Sequence, residues 1–105
     1  MTDQLELFPE LVERNALDEA RDIIYSDREQ THGHPARNFR CIADMWTAYL
    51  NNRFRSSCVA LSPEDVCVMM GLMKSARFAA NPSHRDNIVD AIGYWASVER
   101  CRDKV

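Results

Sequence analysis

The chain has 105 residues and a formal net charge of −3, with 13 Lys and Arg against 16 Asp and Glu. That length suits one compact domain with a small stability margin, so assembly into a homo-oligomer is expected. The acidic balance disfavours direct binding to nucleic acid, because no Lys/Arg-rich run is available to displace counterions from a phosphate backbone.

Cys41, Cys58, Cys67 and Cys101 are spaced too irregularly for a zinc site. Without a secretory context they read as reduced, mostly packed thiols of a cytoplasmic protein. No apolar run is long enough to span a bilayer, and Met-Thr-Asp-Gln lacks the basic start of a signal peptide. No membrane partner is expected.

Residues 1–14 are read as an N-terminal arm, interrupted by Pro9, ahead of a helical domain over 15–105. Within the arm, Gln4-Leu5-Glu6-Leu7-Phe8 resembles the pentapeptide with which many bacterial proteins dock on the DNA sliding clamp. Such docking needs an extended terminal segment, two apolar side chains for a pocket (Leu7, Phe8) and a glutamine amide to set the register. Packing of Leu5, Leu7 and Phe8 on this domain or on a neighbouring subunit is the reading favoured over docking.

Asn15 is a good N-cap for a first helix, with Asp18 and Glu19 in the turn where the positive end of the macrodipole favours acids. Leu17, Ala20, Ile23 and Ile24 make its apolar face, and it is expected to end near Tyr25–Arg28. A loop follows over 27–35. Gly33 suits a positive φ there, and Pro35 opens the next helix. His32 and His34 read as part of a hydrogen-bonded turn or as metal ligands.

The second helix is expected over 36–52, with Phe39, Ile42, Ala43, Trp46, Tyr49 and Leu50 buried and Arg37, Arg40, Asp44 and Thr47 wet. Ser62 caps the third helix, with Pro63 first in line and Asp65 placed for a capping box. Val66 to Met73 is apolar nearly all round, which predicts a helix enclosed by neighbours. Asn81-Pro82 stops it. Ser83 and Asp86 suggest the same capping device for a fourth helix, whose Ile88, Val89, Ile92, Trp95 and Ala96 are expected in the core. The fold class is therefore all-α, a single four-helix bundle-like domain with a short arm.

Asp90, Lys74 and Arg77 have no capping role to explain them. At about 100° per residue, Asp86, Asp90, Gly93 and Ser97 form one stripe of the fourth helix, small enough at Gly93 and Ser97 to admit a close neighbour or a ligand. Folding the last two helices about the 82–83 turn sets Lys74 level with about residue 91 and Arg77 with about residue 88. Two readings fit. The four charges are interhelical ion pairs, or carboxylates holding a divalent cation beside bases that hold phosphate oxygens. Tyr94 and Trp95 read as core aromatics or as a stacking surface for a base.

Asp27-Arg28, Gly33-His34-Pro35, Asn38-Phe39, Trp46, Glu64-Asp65-Val66, Lys74-x-Ala76-Arg77 and His84-Arg85-Asp86-x-x-x-Asp90-x-x-Gly93-Tyr94 together resemble a family of small phage and prophage proteins of unknown function. The likeness covers about residues 16–98 and implies an accessory protein acting in a bacterial host cytoplasm. A more distant likeness is to the all-α, MazG-like nucleoside triphosphate pyrophosphohydrolases. Those carry Glu-x-x-Glu and Glu-x-x-Asp where this chain has Glu64-Asp65 and Asp86-x-x-x-Asp90. The likeness implies a nucleotide ligand and Mg2+ held by Glu64, Asp65, Asp86 and Asp90. It also implies phosphate contacts from Lys74 and Arg77, with Arg28, His34, Asn38 and Tyr94 around the ligand. Three functions are expected from these features: a nucleotide-handling accessory protein, possessing turnover or not; a module that sequesters a nucleotide signal; and an interaction protein that reaches the sliding clamp.

Overall fold

The computed structural model describes residues 15–27 and 34–102. Among them are four α-helices and no strand: α1 (Ala16–Asp22), α2 (Pro35–Arg53), α3 (Pro63–Ala80) and α4 (Asp86–Arg102). The all-α class expected above is what the chain adopts. The arm, Arg28 and the rest of the 28–33 loop lie outside the described residues. No described helix is long and apolar enough to cross a membrane.

Local chemistry sets most of the helix ends. The Asn15 side chain accepts the Asp18 N–H at 2.9 Å, relieving one of the orphan donors of the first turn of α1. That helix widens at Ile23–Asp27 into a π turn. There the Ile24 carbonyl accepts a 2.8 Å hydrogen bond from Arg100 Nη1, whose guanidinium lies 4.4 Å from the Tyr25 ring centroid. His34 caps α2 by accepting the Ala36 N–H on Nδ1 at 3.1 Å. Ser62 and Asp65 form the full capping box of α3, with bonds of 3.2 and 2.8 Å.

α4 begins later than its sequence suggests. The Ser83 hydroxyl donates to Asn81 Oδ1 at 2.9 Å, inside the turn, and the helix opens at Asp86. The side chain that mimics a cap in the sequence is therefore spent on the turn itself. Arg85 in this turn pairs with Glu19 of α1.

α4 is the hub. It packs antiparallel along α3 and also touches α1 and α2, whereas α1 and α2 do not meet. The core consists of Phe39 and Ala43 of α2, Val66 and Cys67 of α3, and Tyr94 and Cys101 of α4, flanked by Ile42, Trp46, Leu61, Met70 and Val98. α3 is not enclosed all round: Leu72 is 57% exposed, and Trp95 of α4 is 52% exposed. Ile88, Ala96 and Tyr49 also face outward, contrary to the periodicity. Thr47, expected to be wet, instead accepts the Leu61 N–H at 2.9 Å, and the Asn51 amide makes two bonds to the Val59 backbone. These two residues of α2 hold the 54–61 loop in place.

Cys67 and Cys101 are fully buried with their sulfurs 3.7 Å apart, while Cys41 and Cys58 are exposed. Burial pushes both buried thiols up from the ordinary range, so they stay protonated and unreactive. A thiol reagent should label two cysteines in the native protein and four after denaturation, and raising the pH through the ordinary thiol range should not bring in the other two. Replacing Ser62 with Ala removes one arm of the capping box and should cost about 1 kcal/mol in a urea melt.

Candidate functional site

Two of the three residues without a capping role, Lys74 and Asp90, meet as the hairpin register requires. Lys74 Nζ lies 2.9 Å from Asp90 Oδ2, with the side chains 15% and 25% exposed. Carrying that register one turn toward the hairpin bend puts Arg77 opposite Asn87. Between the helices an open groove of about 460 Å³ is lined by Lys74, Arg77, Ala80, Asn81, His84, Asp86, Asn87 and Asp90. That size falls within the ordinary range for small-molecule sites.

The charges around it are unevenly satisfied. Lys74 and Asp90 neutralise each other at the inner end of the groove. His84 Nε2 stands 3.9 Å from Asp86 Oδ2 at the exposed end. Arg77 is exposed and makes no ion pair with any described residue. Asn87 is the residue that the sequence reading missed. It is only 5% exposed, its side chain makes no hydrogen bond with any described residue, and it lines the groove. No periodicity flags an asparagine beside two aspartates, since only the position of α3 decides which of them is covered.

The other acids lie elsewhere. Asp65 is held in the capping box, and Glu64 Oε2 accepts from Arg102 Nε at 2.9 Å. At 1.5 Å of rise per residue, Glu64 is about 15 Å along α3 from Lys74. Glu64 and Asp65 thus sit at the opposite end of the helix pair from Asp86 and Asp90. Among the described residues no three His, Cys, Asp or Glu side chains are grouped to hold a metal ion. The four acids do not fit a shared magnesium site within one chain.

Tyr94 is buried in the core, its ring centroid 6.3 Å from that of Phe39. His34 lines a second open groove with Ala36, Arg37 and Arg40, and neither it nor Asn38 lines the Lys74–Arg77 groove. The small stripe of α4 is covered by α1 and its π turn, which leave between them only a cavity of about 10 Å³ lined by residues that include Ile24, Asp90, Gly93 and Ser97. A Cβ added at Gly93 would come 3.4 Å from Ile24 Cγ2, and Ser97 donates its hydroxyl to the Gly93 carbonyl at 2.8 Å. Arg28, Gln4, Leu5, Leu7 and Phe8 lie outside the described residues.

Comparison with known proteins bears on what these helices are. The profile of a family described as a domain of unknown function, DUF6378, matches residues 15–102. The chain belongs to this family. The DUF6378 domain here is also similar to two curated proteins, each called Gene 55 protein. The one from Mycobacterium phage L5 is 41% identical over 81 residues, covering 77% of this chain and 48% of the relative. The one from Mycobacterium phage D29 is 38% identical over 84 residues, covering 80% of this chain and 51% of the relative. The chain spans about half the length of these curated relatives. No solved structure matches. The likeness to a phage protein family of unknown function is thus established, and the DUF6378 match begins at the residue that caps α1.

The Lys74–Asp90 pair lies between the surface and buried limits, so removing one partner strands a half-desolvated charge. Asp90→Ala should lower unfolding free energy by about 1–2 kcal/mol, whereas Lys74→Met combined with Asp90→Leu should recover most of that loss. Chemical denaturation of the single and double variants reads this out.

Proposed function

We propose that this phage protein binds a nucleotide, or a ligand built like one, through its phosphate groups in the groove between α3 and α4. The observation that carries the reading is Arg77. It is a guanidinium with no ion partner among the described residues, beside a groove of ligand size. A planar guanidinium suits two phosphate oxygens at once, and exposure leaves it able to meet an incoming anion. Lys74, three residues away on the same helix, lines the groove too but is paired with Asp90, which leaves the anion contact to Arg77. The distant likeness to MazG-like proteins points to the same ligand class.

Binding without turnover is the form this geometry supports best. Hydrolysis assisted by magnesium would have to rely on Asp86 and Asp90, four residues apart on one face of α4, because Glu64 and Asp65 lie at the far end of the hairpin. The host compartment and self-association carry over from the sequence reading as part of this proposal. The outward-facing Leu72 and Trp95 are compatible with contact between copies.

A thermal-shift series with nucleoside mono-, di- and triphosphates, in excess chelator and then in magnesium, tests the reading. Stabilisation by at least one of them in chelator is expected, and Arg77→Ala should weaken it by about tenfold, the loss of one charge-assisted contact. If no nucleotide raises Tm, or if Arg77→Ala binds as well as wild type, the groove is not the site. Release of pyrophosphate that needs magnesium and disappears in Asp90→Asn would establish the hydrolytic form instead.

A further inference from the structure

A buried amide with nothing to bond is costly. Leaving such a group unsatisfied forfeits hydrogen bonds that it would keep in water. Asn87 comes close to this position: it is 5% exposed and has no side-chain partner among the described residues, so its amide depends on what occupies the surface it reaches. No fully enclosed side-chain nitrogen or oxygen lacks a partner in the described structure, so the amide's polar atoms must reach accessible surface. The surface that Asn87 lines is the groove.

From this, and resting on the phosphate-binding reading above, we infer that Asn87 is the specificity-determining contact of the groove: its carboxamide reads the edge of a nucleobase, so the ligand is held by its base as well as its phosphate. Three features argue for this orientation. The carboxamide offers a donor beside an acceptor, which matches the adjacent donor and acceptor of a base edge. The shielded part of the groove carries Lys74 and Asp90, whose charges offset each other. A phosphate dianion pushed to that depth would meet the Asp90 carboxylate, whereas an uncharged base would not. Arg77, which has no ion partner among the described residues, is exposed and lines the same groove. The base therefore goes down to the amide and the phosphate stays at the rim.

The test uses the full chain in chelator, with calorimetric titration of the adenosine, guanosine, cytidine and thymidine 5′-monophosphates and of ribose 5-phosphate, which keeps the phosphate and lacks the base. Wild type should bind at least one of the four nucleotides about tenfold or more tighter than ribose 5-phosphate, the discrimination expected of one two-point amide–base contact. Asn87→Ala should reduce that nucleotide to the level of ribose 5-phosphate while leaving ribose 5-phosphate itself unchanged. Asn87→Asp, which keeps the shape but loses the donor, should lose the same preference. Both variants should keep the helical circular-dichroism signal of wild type, since no internal bond is removed. Equal affinity of wild type for nucleotides and ribose 5-phosphate would overturn the base contact and leave phosphate binding intact. So would equal loss of both ligands in Asn87→Ala, because the amide would then be a phosphate contact. Failure of every compound to bind would overturn both readings.

Discussion

The antiparallel contact between α3 and α4 is the constraint on which the rest depends. It is pinned near the bend by Lys74 and Asp90 and at the open end by Glu64 and Arg102, with Val66, Cys67 and Cys101 sealed between. The two pins differ in kind. The Glu64–Arg102 pair is largely solvated, so it contributes little. The Lys74–Asp90 pair is mostly shielded, and each charge would be expensive to leave alone, so it specifies register more than it adds stability. Sliding α4 by one residue would rotate Asp90 away from Lys74 and take Asn87 out of the groove.

α4 serves several neighbours at once, and its side-chain sizes show which face belongs to which. Gly93 and Ser97 are small where α1 approaches, so that Ile24 can sit against the helix backbone. Gly71 plays the matching part on α3, where a Cβ would come 3.0 Å from Trp95 Nε1. The indole therefore lies over α3 with its other side in solvent. Near the bend the α3–α4 cleft opens instead, and the side chains lining it are polar and charged rather than small.

The helices were legible in the chain because their ends are written in local chemistry. Asn15, Ser62 with Asp65, and the proline at the start of α2 and α3 act over a few residues, and no distant contact is needed to recognise them. Ser83 shows the limit of such signals: the same hydroxyl that caps a helix can brace a turn, and only the turn's geometry chooses. The pairing of Lys74 with Asp90 was also within reach, because a short bend fixes the register of two helices to within a residue. The burial of Tyr94 rather than Trp95, and the exposure of Leu72, were not. Periodicity shows that an apolar arc exists, but not how much of it the neighbours cover.

By itself, then, the chain determined its all-α class, three of its helix starts, the hairpin register and the meeting of one cation with one aspartate, all of which follow from interactions a few residues long or from a rigid repeat across one turn. Tertiary structure decided what that register could not: that α1 covers the small stripe of α4, that Glu64 and Asp65 are stranded at the far end, and that Asn87 rather than a charged residue is the buried residue lining the groove. Those outcomes depend on which helix faces which, and burial is a property of neighbours that no single segment encodes.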